Sequence, residues 1–94
     1  MARNTTITLT AKAWTQLTDA DVTNITFQNR SGYHMLVKAT TDTTTPTDSS
    51  GAIRYNPGQG ERNVAMTDLF PGLTGADRVW AYSDHAVDVF VSHA

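Results

Sequence analysis

Polar and apolar side chains alternate from Thr6 to Thr10, where Ile7 and Leu9 stand between threonines, which is the period of a strand with one buried face. The same period returns at Asn24–Asn29, where Ile25 and Phe27 lie two apart, and across Tyr33–Thr40. In that second run Tyr33, Met35, Val37 and Ala39 share one face and His34, Leu36 and Lys38 the other. Asn29-Arg30-Ser31-Gly32 between the two runs predicts a tight hairpin, with Gly32 supplying a positive φ.

Further on, Ala52–Tyr55 predicts a short strand stopped by Asn56-Pro57-Gly58-Gln59-Gly60. Residues 61–66 alternate again. Thr67-Asp68-Leu69-Phe70 can form one helical turn capped by Thr67 or Asp68, which Pro71-Gly72 ends at once. Val79–Tyr82 and the Val87, Val89, Val91 series predict a second hairpin, turned by Ser83-Asp84-His85. Thr41–Gly51, a run of Thr, Asp and Ser with one Pro, reads as a surface loop. No segment carries helical periodicity over a helix length.

These elements predict an all-β fold, a small antiparallel β-sandwich or barrel of jelly-roll-like form. Residues 1–6 are expected to be a flexible N-terminal arm and residues 7–94 a single β domain. Abundant Thr and Val favour strands, and a chain with two Lys and one Glu lacks the usual material of surface helices. With 94 residues and no cysteine, one core without disulfides must hold the domain, so self-association is expected to add stability.

The formal net charge of −2 supplies no basic field for phosphates or anionic lipid, so neither nucleic acid nor a membrane is expected as a partner. The N-terminal residues lack the apolar core of a secretion signal, and no stretch approaches the roughly 18 apolar residues of a span. Synthesis in a cytoplasm is therefore expected.

Catalytic and metal-binding patterns find little support. His34, His85 and His93 have no neighbours at ligand spacing, and no cysteine completes a zinc site. Ser83-Asp84-His85 holds the residue types of a nucleophilic triad, but adjacent residues point in different directions and cannot form its relay. Asp42 and Asp48 lack the dense acidic spacing of a calcium loop, and Gly58-Gln59-Gly60 has no helix or lysine to make a phosphate cradle. The expectation is no catalytic residue, no metal and no cofactor. Trp80 and Tyr82 share one face of their strand, opposite Val79 and Ala81, so one pair must face away from the core. An outward aromatic pair is either an assembly contact or a platform for sugar rings.

Several short motifs carry a resemblance: Trp14-Thr15-Gln16-Leu17, Thr26-Phe27-Gln28-Asn29 before Gly32, Pro46 in the polar loop, Tyr55-Asn56-Pro57-Gly58, and the terminal Val91-Ser92-His93-Ala94. In these the chain resembles small structural proteins of tailed bacteriophage virions. The resemblance implies assembly in a virion rather than chemistry, with roles that range from decorating capsids and cementing neighbouring shell subunits to building spikes and tail parts; of these, a capsid decoration or cement protein that binds the major capsid protein or other virion proteins is the first expectation. It also implies a homo-oligomer, for which a trimer is expected because threefold positions recur on icosahedral shells. The alternative is a carbohydrate-binding spike or tail module that meets the host surface. Arg3 in the arm and the aromatics Trp14, Tyr55, Trp80 and Tyr82 are the candidate interface residues.

Overall fold

The computed structural model describes residues 2–94. Its strands are β1 (Arg3–Thr8), β2 (Thr15–Gln16), β3 (Asn24–Asn29), β4 (Met35–Thr40), β5 (Ile53–Tyr55), β6 (Gly60–Ala65), β7 (Arg78–Tyr82) and β8 (Asp88–His93), with one helical turn, α1 (Met66–Leu69), after β6. They form two four-stranded antiparallel sheets, in the orders β1-β8-β3-β6 and β2-β7-β4-β5. The pairing is nested: first strand with last, second with seventh, third with sixth, fourth with fifth. A single long hairpin with its tip between β4 and β5, wrapped into two layers, has this order, and it is the order of a jelly roll.

Alternation along the strands builds the core between the layers. From the first sheet come Ile25, Phe27, Val89 and Val91, and from the second Met35, Val37, Val79 and Ala81, all essentially without solvent contact. Sheet faces so packed interdigitate about 10 Å apart, which lets a chain this short enclose a continuous apolar interior. Leu9, Leu17 and Val87 close its ends.

Neither predicted hairpin exists. β3 and β4 lie in different sheets, as do β7 and β8, so each connection carries the chain across the sandwich. Alternation identifies the buried face of a strand but not its neighbour, and a strand that crosses over has the same pattern as one that folds back. What distinguishes these corners is side-chain hydrogen bonding. Asn29, fully buried, accepts from the Ser31 N–H at 3.0 Å and donates to the carbonyls of Tyr33 (2.7 Å) and Tyr55 (3.2 Å). Ser83, also buried, donates to the carbonyl of His34 at 3.0 Å and accepts from the His85 N–H at 3.2 Å. The two corners therefore abut, and the rings of Tyr33 and His85 stack with centroids 3.8 Å apart. Gly32 is not among the glycines with positive φ, because this corner does not use a hairpin turn.

The expected arm is also corrected. Arg3–Thr6 belong to β1, which pairs with β8 from Arg3 opposite His93 to Thr8 opposite Asp88; Met1 lies outside the described residues. Four polar residues in a row do not keep a segment off a sheet edge, because the backbone pairing with β8 needs no apolar side chain and the exposed Asn4, Thr5 and Thr6 meet water. The helical turn starts one residue earlier than expected, and neither Thr67 nor Asp68 caps it: the N-cap is Ala65, without a side-chain bond.

On the edge strand β6, Arg62 and Asn63 together stand opposite Thr26, a β-bulge in which Asn63 takes φ 47°. Its N–H is held by the Thr26 hydroxyl at 2.8 Å. At the start of β6 the backbone of β3 passes so close that a Cβ on Gly60 would lie 2.7 Å from the Gln28 Cα, which explains glycine there.

Candidate functional site

The outer face of the second sheet carries the side chains that alternation leaves over. Leu36, Lys38 and Thr40 of β4 lie in register with Tyr82, Trp80 and Arg78 of β7. Val79 and Ala81 take the core side of β7, so the aromatic pair faces outward. The two rings then differ in fate. Trp80, between Lys38 and Gln16 in register, is only 5% exposed, packs outside the core, and donates from Nε1 to the Thr40 hydroxyl at 2.9 Å. Tyr82 stays half-buried at the surface, where the Trp14 ring meets it at 5.3 Å and a 42° tilt.

The Thr-rich loop between β4 and β5 folds back over this face. Lys38 Nζ lies 3.2 Å from Asp48 Oδ1, 3.3 Å from the Asp48 carbonyl and 5.9 Å from the centre of the Trp14 ring. The hydrogen bond from Lys38, then that from the Ser50 N–H, holds the Asp48 carboxyl below its ordinary range. A cleft of about 210 Å³ results, with Trp14, Tyr82 and Leu36 as an apolar wall and Thr47, Asp48 and Ser49 as a polar lip. On the other side of the loop, a larger hollow of about 600 Å³ is lined by Ala39, Pro46, Ile53, Leu69, Phe70 and Leu73 among others. Leu73, 40% exposed, stands at this second hollow.

Of the five residues expected at an interface, the fold thus brings Trp14 and Tyr82 together and lays Trp80 beneath the same face. Tyr55 is withdrawn: it is 5% exposed, packs edge-on against Phe27 at 5.0 Å, and donates its hydroxyl to Glu61 Oε2 at 3.0 Å. Burial first, and the adjoining carboxylate second, push its pKa well above the usual phenol range. Arg3 sits in the other sheet, where Nε lies 3.4 Å from Asp19 Oδ2 and NH1 donates to the Leu17 carbonyl at 3.1 Å. It straps β1 to the segment after β2 instead of reaching outward. Asp19 is shared with the buried His93 ring, 3.3 Å away.

Sequence reasoning missed Leu36, Lys38 and Asp48 as members of the outer face. The first two were visible as the second face of β4, but the return of Asp48 depends on a loop path that composition does not encode.

The arrangement offers shape and contact chemistry. The Ser83 hydroxyl proton goes to a backbone carbonyl and the His85 ring stacks on Tyr33, so Ser83-Asp84-His85 forms a corner and not a relay. Asp42 Oδ1 accepts from the Thr44 N–H within the loop, and among the described residues no three His, Asp or Glu side chains are placed to hold a metal. Among them, too, no helix is long and apolar enough to cross a membrane. Comparisons with protein-family models, with curated proteins and with solved structures find no significant match.

Proposed function

We propose that the chain is a non-enzymatic structural protein of a virion, a capsid decoration or cement protein that binds across neighbouring shell subunits and stabilises the particle. The observation that carries this reading is the surface pairing of Trp14 and Tyr82 outside a complete core. The interior is already filled by apolar side chains together with Phe27 and Tyr55, so packing the domain does not require the Trp14 and Tyr82 rings. Aromatic rings at a surface bury a large area at low entropic cost, and such residues dominate protein interfaces. Double-sheet jelly rolls occur in capsid and lectin domains; since a fold alone does not select a function, the weight rests on the aromatic site and on the short phage-like motifs.

The partner in this reading is the major capsid protein or another virion protein, and the chain acts as a homo-oligomer. Many copies on a repeating surface add up modest single contacts, because linkage raises effective concentration without any stronger bond. Adding the purified chain to shells that lack it should raise their resistance to heat; shells that unfold at the same temperature with and without it oppose the reading.

A second reading is a carbohydrate-binding spike or tail module, favoured by the cleft in which an aromatic wall faces the polar lip of Thr47, Asp48 and Ser49. Sugar rings stack on such walls through their C–H faces while their hydroxyls bond the rim. A glycan array separates the two: a cement protein gives no specific sugar response, and a response lost in Trp14→Ala selects the second.

A further inference from the structure

The sheet orders leave four edges, and three of them are short or interrupted. β2 has two residues and β5 three, while β6 carries Glu61, Arg62 and the bulge at Asn63. Proteins blunt edges by these means, because a regular free edge presents unpaired N–H and C=O groups to any strand that fits. β1 has none of them. Its six residues pair with β8 in unbroken register, its one charge is at Arg3, and Asn4–Thr8 contain neither proline nor charge.

The phase of its free backbone groups follows from one bond. Leu9 N–H donates to the Val87 carbonyl at 2.8 Å, so Leu9 faces β8, and with the antiparallel alternation so do Ile7, Thr5 and Arg3. Asn4, Thr6 and Thr8, all exposed, therefore direct N–H and C=O to the open edge.

We propose that β1 pairs with β1 of a second copy, antiparallel, about a twofold axis at Thr6, joining the two first sheets into one continuous sheet. This register uses all three free donor–acceptor residues, setting Asn4 against Thr8 of the other copy and Thr6 against Thr6, each facing pair exchanging two hydrogen bonds. A second copy fits because the strand is complementary to itself. Thr5 falls opposite Ile7, Arg3 falls opposite Leu9, and no like charges meet, while threonines facing across strands are a favourable pair. The contact closes on itself, since the bulged β6 at the far edge of each sheet does not offer another regular strand, and the result is a pair where the sequence suggested a trimer. The pairing does not depend on what shell or sugar the chain meets, and it is read on the purified protein alone.

Sedimentation equilibrium on the wild-type chain should show a mass rising with concentration toward two copies. Thr6→Pro removes only the outward N–H and leaves the bonds to β8 in place, so the folded variant should stay at the mass of one copy. Because proline can strain the strand, a second variant carries the test independently. In a chain without cysteine, Thr6→Cys places two sulfurs across the axis with Cα atoms about 5.5 Å apart, within disulfide range. Under mild oxidant it should form a covalent dimer at least about tenfold faster than Thr45→Cys in the exposed loop, a rate ratio expected from holding the two thiols together. A wild-type mass that stays at one copy or settles at three, or equal cross-linking rates for the two cysteine variants, overturns the proposal.

Discussion

Asn29 and Tyr55 join the two sheets directly: the Asn29 side chain, at the end of β3, donates to the backbone carbonyl of Tyr55, at the end of β5, over 3.2 Å. The same amide holds the Tyr33 carbonyl and the Ser31 N–H, so one side chain fixes the corner where the chain leaves the first sheet and the point where β5 stops. An apolar replacement would leave the buried Tyr55 carbonyl without this partner, and would strip the part-buried Tyr33 carbonyl and Ser31 N–H of theirs.

Asn29→Ala is accordingly expected to destabilise the domain by about 2–4 kcal/mol, the cost of orphaning buried polar groups. Asn29→Asp keeps the contact to Ser31 but loses both donated bonds, and should also be clearly destabilising. Urea unfolding measures both; a loss under about 0.5 kcal/mol for Asn29→Ala would show that the corner is held by something else.

The Tyr55 hydroxyl gives a pH signature. Its folded pKa is raised, by burial and then by the Glu61 carboxylate, above the unfolded value near 10. A raised pKa means that the folded state holds the proton more tightly, so its contribution is fully present below about pH 10 and is lost as pH climbs past that point. Stability should therefore fall on the alkaline side, and Tyr55→Phe should flatten that fall while changing little near neutrality beyond the loss of one hydrogen bond. A wild-type and a Tyr55→Phe protein with the same alkaline slope would contradict the assignment.

Two glycines should respond in opposite ways to alanine. At Gly60 the added methyl meets the backbone of β3, which cannot yield as a side-chain tip can, and a loss of more than about 2 kcal/mol is expected. At Gly32 an added Cβ meets nothing within 4 Å and the backbone is not in the left-handed region, so the change should be neutral or stabilising by up to about 1 kcal/mol. A tight hairpin turn at Gly32 would give the reverse, which makes this substitution a test of the crossover topology.

The sequence carried the strands and their inward faces more plainly than their neighbours. Ile25 with Phe27, Met35 with Val37, and Val89 with Val91 announce buried faces through a period of two, because one-sided burial imposes it. Neither Asn29-Arg30-Ser31-Gly32 nor Ser83-Asp84-His85 says whether the next strand lies beside or across, since the decision is made by the buried bonds of Asn29 and Ser83 to residues up to dozens of positions away. The candidate surface was legible in the same measure. The shared face of Trp80 and Tyr82 follows from alternation, whereas the approach of Trp14 and Asp48, and the burial of Tyr55 against Phe27, require the folded chain.

The proposal that the outward aromatics grip a shell is tested most directly by co-sedimentation of the purified chain with capsids assembled without it. The wild-type chain should saturate the shells, and the Trp14→Ala, Tyr82→Ala double variant, folded by circular dichroism, should bind them on the order of 30-fold more weakly, as expected when a pair of interface anchors is removed. Equal binding by wild type and double variant, or no binding of the wild type at all, would contradict the account.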